Sequence, residues 1–200
     1  MADVDTTVAL VSLTNAKAYL KIPTATTSED AILINLVNEA SVKVSDYIGR
    51  NMLTGTKTEY YNGEGVGKLR LKNFPITAVT TLHDDTEREF GADTLIDASD
   101  YYLHADEGMI ELLDGVAFVA GQLNVKVVYV AGYALASIPY AIQDAVKRWV
   151  ADAYMRYNNR RHGVQSESIG DKTITFSVGD IPADVKFILK KYRDSSLLVA

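Results

Sequence analysis

The stretch QLNVKVVYVAGYALASIPYAIQDAVKRWVADAYMRY, residues 122–157, changes its hydrophobic period in the middle. Its first part, 122–130, places apolar side chains at every second position, which predicts a strand with a buried face. After Pro139, apolar residues recur at spacings of three and four, and this predicts an amphipathic helix of about twenty residues and about 30 Å. Because both periods persist over long segments, the stretch predicts an α+β fold.

Further helices are predicted on both sides of this stretch. Ser12 is placed to cap a helix over 13–21, which ends before Pro23 because the residue preceding a proline avoids the α region. Residues 27–30, TSED, resemble a capping box at the start of a helix of about five turns, which Gly49 ends. Near the end of the chain, Pro182 opens a last predicted helix.

Between Lys57 and Val130 the hydrophobic period is two, and turn residues recur about every eight to twelve positions. This pattern predicts a small antiparallel β unit inserted after the second helix. The pairs Asn62-Gly63 and Glu107-Gly108 are predicted hairpin turns, because both accept a positive φ. The predicted strands are 57–61, 68–72, 76–83, 101–104, 109–113, 122–130 and, after the long helix, 173–178.

The predicted fold is therefore a small helical bundle with an inserted antiparallel β unit and a C-terminal strand plus helix. Segment 1–56 supplies the N-terminal helices of the bundle, and 57–133 is the β unit. Segment 134–162 is the long central helix, and 163–200 is a strand–helix arm that we interpret as a docking segment.

Composition excludes several kinds of site. The 200 residues contain no cysteine, which rules out disulfides, cysteine-ligated metals and thiol nucleophiles. No apolar run approaches the roughly 20 residues that span a bilayer, and residues 1–5 lack the basic start of a signal peptide. The sequence predicts a soluble, unprocessed protein.

Charge is distributed unevenly along the chain. The net charge is −6, which argues against a broad basic face for nucleic acid. Residues 84–114 contain eleven acids and a single base, whereas residues 115–200 contain eleven bases and seven acids. This asymmetry indicates either two unlike surfaces of a self-assembling subunit or a solvated acidic loop region.

No catalytic, cofactor or metal site is predicted. The glycine-rich stretch NGEGVGK, 62–68, departs from a phosphate-binding loop at Asn62 and Leu69 and leads into a strand, so a hairpin loop is favoured over a nucleotide site. The histidines, His83, His104 and His162, are far apart in the sequence. The acids of 84–89 could hold a divalent cation, but they lack the EF-hand pattern, and a solvated turn is favoured.

Aromatic and basic residues cluster in and after the long helix. Trp149, Tyr154 and Tyr157 have helical spacing, which favours a core role, alone or with a subunit contact, over a separate binding cluster. The basic run 156–162 has two comparable interpretations: it contacts DNA phosphates, or it stabilises the negative end of the helix dipole.

The order and spacing of several motifs resemble the tailed-phage head–tail connector family, the portal adaptor proteins. The motifs are LTNAKAYL at 13–20, ED at 29–30 opening a helix that closes with YIGR at 47–50, LKNFPI at 71–76, and VYVAGY at 128–133 ahead of IP at 138–139. The resemblance runs from about Leu13 to Tyr157, and the segment from Gly170 to Tyr192 is similar to the C-terminal end of longer members. The large β unit departs from the smaller, all-helical members of that family.

This resemblance implies a structural virion protein without catalysis or cofactor. Family members form a ring of about twelve subunits beneath the portal protein. The ring extends the channel through which genomic DNA passes and docks the next neck or tail protein. The implied location is the head–tail interface of the virion, after assembly in the host cytoplasm, with no membrane contact.

A ring subunit needs two unlike complementary faces, and the charge asymmetry suggests where they lie. The candidate interface residues are Asp84, Asp85, Glu87, Arg156, Arg160, Arg161, Phe176 and Tyr192. Two alternatives stay open. One is another neck protein, such as a head-closure or tail-completion factor. The other is a β-rich glycan-binding module that uses the tyrosine pairs at 60–61 and 101–102.

Overall fold

The structure is a computed structural model that describes residues 3–158, 166–169, 172–175 and 181–193. The chain divides into two compact units. The helical unit comprises Met1–Arg50 and Leu135–Ala200, and the β unit comprises Asn51–Ala134. The predicted α+β class is confirmed.

The helical unit contains four helices within the described residues. They are α1 (Leu13–Leu20), α2 (Asp30–Ile48), α3 (Tyr140–Asn158) and α4 (Ala183–Leu189), the last followed by a 3-10 turn at Lys190–Tyr192. Helix α2 packs along α3, and α1 and α4 also contact this pair. The fully buried side chains of the unit include Leu33, Val37, Val44, Ile142, Val146 and Leu189. The long helix after Pro139 is therefore held by its apolar stripe, as predicted.

The helix ends confirm two predictions and correct a third. The Ser12 hydroxyl accepts from the Asn15 amide at 3.2 Å, and Gly49 ends α2 with a φ of 87°. The predicted capping box at 27–30 is wrong, because α2 begins at Asp30 without a side-chain cap. The Asp30 carboxylate instead forms a buried ion pair with Lys17, whose ammonium also donates to carbonyls of the preceding turn.

The β unit consists of two three-stranded antiparallel sheets. The first has the order β1 (Gly55–Gly63), β6 (Gly121–Ala131), β3 (Ile76–Asp84), and the second has the order β2 (Lys68–Arg70), β5 (Met109–Leu112), β4 (Tyr101–His104). Each of these strands overlaps a predicted one. Both sheets contribute to a shared apolar core: Leu69, Leu71, Ile76, Leu82, Ile110, Leu112, Phe118, Val125, Val127, Tyr129 and Ala131.

One of the two predicted hairpin turns is wrong. Strand β1 pairs with β6 rather than with β2, so Asn62-Gly63 does not join neighbouring strands. Gly63 instead allows a close approach, because a Cβ there would lie 1.8 Å from the Val119 carbonyl oxygen. The turn between β4 and β5 is confirmed, with Gly108 at a φ of 68°.

Two further strands, β7 (Ser166–Ile169) and β8 (Lys172–Thr175), form an antiparallel pair in the C-terminal part of the chain. Strand β8 overlaps the predicted strand 173–178, whose last three residues lie outside the described residues. Strand β7 was not predicted. No helix in the described ranges is long and apolar enough to cross a bilayer.

A carboxylate on β1 holds the loop between β2 and β3 against the first sheet. Glu59 accepts from the Tyr129 hydroxyl at 2.6 Å, from the Asn73 side-chain amide at 2.9 Å and from the Tyr61 hydroxyl. The backbone amides of Lys72 and Asn73 donate to the two tyrosine oxygens in return. Burial, reinforced by the hydrogen bond to Glu59, raises the pKa of Tyr129 to about 12.

This network predicts loss of stability in alkaline solution. Tyrosine in an unfolded chain has a pKa of about 10, so the fold favours the neutral hydroxyl of Tyr129. The stabilisation is fully present below about pH 10 and is lost as the pH rises through about 12. Thermal unfolding between these values should show a falling midpoint, and Tyr129→Phe should make that fall shallower. An equal fall in the Tyr129→Phe variant would contradict this role.

Candidate functional site

Asp84, the first predicted interface residue, fixes a loop of its own unit. Its carboxylate accepts from the Val119 amide at 2.7 Å and from the Asn124 side-chain amide at 2.9 Å. Asn124 is 1% exposed, and it also accepts from the Gly63 amide at 2.9 Å and donates to the Val119 carbonyl at 2.8 Å. These bonds join the ends of β1, β3 and β6 to the segment before β6.

Asp85 organises the turn that follows β3. The side chain is buried, and its oxygens accept from the Glu87 amide at 2.9 Å and the Phe90 amide at 2.7 Å. These bonds lower the pKa of Asp85, and the bond from the Phe90 amide has the largest effect. They hold Arg88 and Phe90 at φ values of 63° and 56°, a region that costs energy for residues other than glycine. Glu87 is exposed on this turn.

The remaining predicted interface residues belong to the helical unit or lie outside the described residues. Arg156 forms an ion pair with Asp152 one turn earlier on α3. Tyr192 is partly exposed in the 3-10 turn after α4. Arg160, Arg161 and Phe176 lie outside the described residues. The structure thus groups Asp84, Asp85 and Glu87 in the β unit and Arg156 and Tyr192 in the helical unit.

Sequence analysis missed an exposed apolar surface on the β unit. The segment VAFVA, 116–120, lies between β5 and β6, where polar residues are usual. Phe118 is 2% exposed, and its amide donates to the Val66 carbonyl at 3.1 Å. On either side of it, Val116 and Val119 are 58% and 51% exposed. The signal that could have revealed this surface is the run of apolar residues between two predicted strands.

A groove of about 700 Å³ lies between this segment and the link from β1 to β2. We refer to it as the loop groove; it is lined by residues 65–68, 102 and 111–117. The Leu112 amide donates to the Gly67 carbonyl at 2.7 Å across its floor. Val66, Tyr102, Leu113 and Val116 expose apolar surface here. The groove thus combines free volume with exposed apolar surface.

The structure also places the residues that were considered for other chemistry. The glycine-rich stretch 62–68 connects two sheets and does not open a helix. His83 contacts the Thr94 hydroxyl at 3.3 Å, His104 contacts Glu111 at 3.0 Å, and His162 lies outside the described residues. Among the residues that are described, no group of three or more potential ligands could hold a metal ion.

Each tyrosine pair presents one well-exposed ring, because neighbouring side chains of a strand point to opposite faces. Tyr60 and Tyr102 are exposed, whereas Tyr61 and Tyr101 are partly buried. Tyr60 lies against Phe90 with ring centroids 5.5 Å apart, and Tyr102 lies against His104 at 4.8 Å. Trp149 is buried in the helical unit, as its spacing favoured. Tyr154 is partly buried and Tyr157 is 46% exposed, so the predicted core role does not extend to Tyr157.

Comparison with known families now identifies the chain. The model of the head completion protein family matches residues 9–195, a range that includes both units. The chain belongs to the head completion protein family. The head–tail neck class predicted from motif order is thereby confirmed, and the open alternative of another neck protein is compatible with this family. No curated protein matches the chain in sequence.

Solved structures show the same fold over nearly the whole of this head completion protein. A chain from the neck of an empty gene transfer agent particle, computed with C6 symmetry, has a TM-score of 0.62 at 18% identity, covering 96% of this chain and 93% of that one. A chain from the virion of the native particle has a TM-score of 0.61 at 18% identity, with the same coverage. A chain from the native neck, computed with C12 symmetry, has a TM-score of 0.56 at 17% identity and covers 96% of this chain and 95% of its own length.

Proposed function

We propose that this head completion protein forms a ring in the head–tail neck, beside the portal protein. The ring extends the DNA channel and docks the next neck or tail protein. The observation that carries the proposal is the similarity in fold, over 96% of the chain, to a chain from a neck computed with C12 symmetry. That symmetry supports the ring of about twelve subunits that the family resemblance implies, and the C6 symmetry of the empty neck is a divisor of the same number.

The role rests on surfaces rather than on turnover. A ring built from one polypeptide uses unlike faces of each copy, and it closes only if the rotation closes. The β unit contributes exposed acids on the turn after β3 and in the segment that follows it. Their negative charge suits either a basic neighbouring surface or a channel wall to which passing DNA does not adhere.

Negative-stain electron microscopy tests this function directly. Purified protein should be imaged alone, and again after mixing with heads that carry the portal protein but lack this head completion protein. We expect twelve-fold rings at the portal vertex, the symmetry of the related native neck. Protein that stays monomeric and leaves the portal vertex unoccupied at every concentration would contradict the proposal.

Reversing exposed acids tests the acidic surface without disturbing the fold. Asp84 and Asp85 are unsuitable for this purpose because their carboxylates hold backbone amides. Glu87 and Glu89 are both exposed, so Glu87→Lys with Glu89→Lys should change the free energy of unfolding by no more than about 0.5 kcal/mol. The same variant should slow ring assembly on heads or DNA ejection, which are followed by infectivity and by time-resolved DNA release.

A matched control makes the same change in net charge on the helical unit. Glu39→Lys with Asp46→Lys alters two exposed acids of α2. Assembly and DNA release by this control should remain close to those of the unmodified protein. Normal assembly and release by the Glu87 and Glu89 variant would reject a role for the acidic turn.

A further inference from the structure

The loop groove on the β unit exposes apolar surface and is bordered by segments that hydrogen bonds and core packing hold in place. Phe118 anchors one wall in the core, and the bonds of Asp84 and Asn124 to Val119 fix the same segment. The bond from the Leu112 amide to the Gly67 carbonyl ties the link between β1 and β2 to β5 beneath the groove. Because the walls are already ordered, a side chain that enters the groove meets little entropic cost from the groove itself.

The rim of the loop groove is acidic. Lys68 and Glu111 form an ion pair at 3.2 Å, so their charges cancel. The sign is set by Glu64, which precedes the lining, by Asp114, which belongs to it, and by Asp100, whose carbonyl accepts from the Leu113 amide at 2.9 Å. All three acids are exposed. The groove therefore favours an apolar side chain surrounded by positive charge.

The chain itself carries a surface with those properties. Phe187 on α4 is 82% exposed. Lys190 and Lys191 follow three and four residues later in the 3-10 turn that continues α4, about one turn beyond Phe187. Both lysines are exposed. Asp184, one turn earlier, lies 3.6 Å from Arg148, which also pairs with Asp144 at 2.7 Å, so the charge of Asp184 is only partly offset.

We propose that Phe187 of one copy inserts into the loop groove of a second copy, with Lys190 and Lys191 facing the acids of the rim. An aromatic anchor in an apolar pocket with a charged border is the usual form of a strong protein contact. A second copy is the occupant because one polypeptide supplies both complementary surfaces. Unlike surfaces that meet in this way form a head-to-tail contact, which a rotation can close into a ring. The inference rests on the proposed ring function.

The absence of cysteine permits a direct test by cross-linking. Glu64→Cys and Lys191→Cys each replace one charge of the proposed border and leave Phe187, Lys190 and the residues that line the groove unchanged. The two variants are purified separately, mixed and oxidised, so that any heterodimer joins different copies. We expect about tenfold more heterodimer than in the controls, because docking raises the local concentration of the two thiols. The controls pair Lys191→Cys with Leu95→Cys, and Glu64→Cys with Met155→Cys.

A second variant separates this contact from the ring function itself. Val116→Asp places a charge in the groove at an exposed position, so thermal stability should stay unchanged while rings are lost. Rings formed by the unmodified protein without preferred cross-linking, and normal rings from Val116→Asp, would overturn the contact but leave the proposed function standing. Val116→Asp rings that fail to recruit the next neck protein would assign the groove to that protein and likewise overturn the contact. Failure of the unmodified protein to form rings, alone or on heads, would defeat the proposed function first.

Discussion

Phe118→Ala is expected to lower the free energy of unfolding by about 3–5 kcal/mol, the usual cost of truncating a buried aromatic side chain. Phe118 is 2% exposed and belongs to the core that the two sheets share. Its removal also loosens the segment 116–120, because the phenyl ring is one anchor of that segment, beside the bonds of Val119 to Asp84 and Asn124. Ring assembly should therefore be weakened more than stability alone explains.

Val119→Ala is the matched control for this prediction. Val119 directly follows Phe118 in the sequence and is one of the two exposed valines of the segment. Its backbone amide and carbonyl keep their bonds to Asp84 and Asn124 in the variant. We expect a change of about 0.5 kcal/mol or less. Urea unfolding followed by circular dichroism measures both variants. Equal losses would show that Phe118 does not anchor the segment.

Leu189→Ala is expected to cost the helical unit about 2–5 kcal/mol. Leu189 is fully buried on α4, which packs against α3. The single tryptophan, Trp149, lies on α3, so its fluorescence reports unfolding of this unit. Phe187→Ala, two residues away on the same helix and exposed, should leave the unfolding midpoint unchanged and weaken assembly. A large loss of stability in Phe187→Ala would contradict its assignment to a contact between copies.

The burial of α4 also changes how the C-terminal arm can be tested. We continue to propose 163–200 as a docking segment for the portal. Deleting it would remove Val185 and Leu189, both fully buried, and each contributes roughly 1.5–3 kcal/mol by burial. A deletion variant that fails to bind heads would therefore report loss of folding as well as loss of docking. Point substitutions at exposed positions are the sharper experiment.

Local chemistry made several elements predictable. The Ser12 cap, the glycine after α2 and the glycine between β4 and β5 each act within a few residues, and each has the predicted role. The capping box at 27–30 is not formed because a distant residue, Lys17, takes the carboxylate of Asp30. Lys17 lies on another helix, so the four residues of the capping-box pattern carry no information about this ion pair.

Contacts between distant residues also explain why only part of the acidic segment 84–114 behaves as predicted. Its composition predicted a surface, and Glu87 is exposed as a surface residue should be. Asp84 and Asp85 are committed to backbone amides, one of them 35 residues away along the chain. A count of charges does not distinguish a carboxylate that faces solvent from one that holds a loop. Only the positions of the donors do.

The sequence by itself determined the positions of the helices and of every described strand except β7. Through the order of its motifs it also indicated the kind of protein to which the chain belongs. The hydrophobic period is a property of consecutive residues, so it can be read without knowing the fold. The tertiary structure alone decided that β1 pairs with β6, that Asp84 holds the segment before β6, and that Val116 and Phe187 remain exposed. A hydrophobic period indicates that one side of a strand or helix is apolar. Whether another part of the same copy covers that side depends on contacts between residues far apart in the chain.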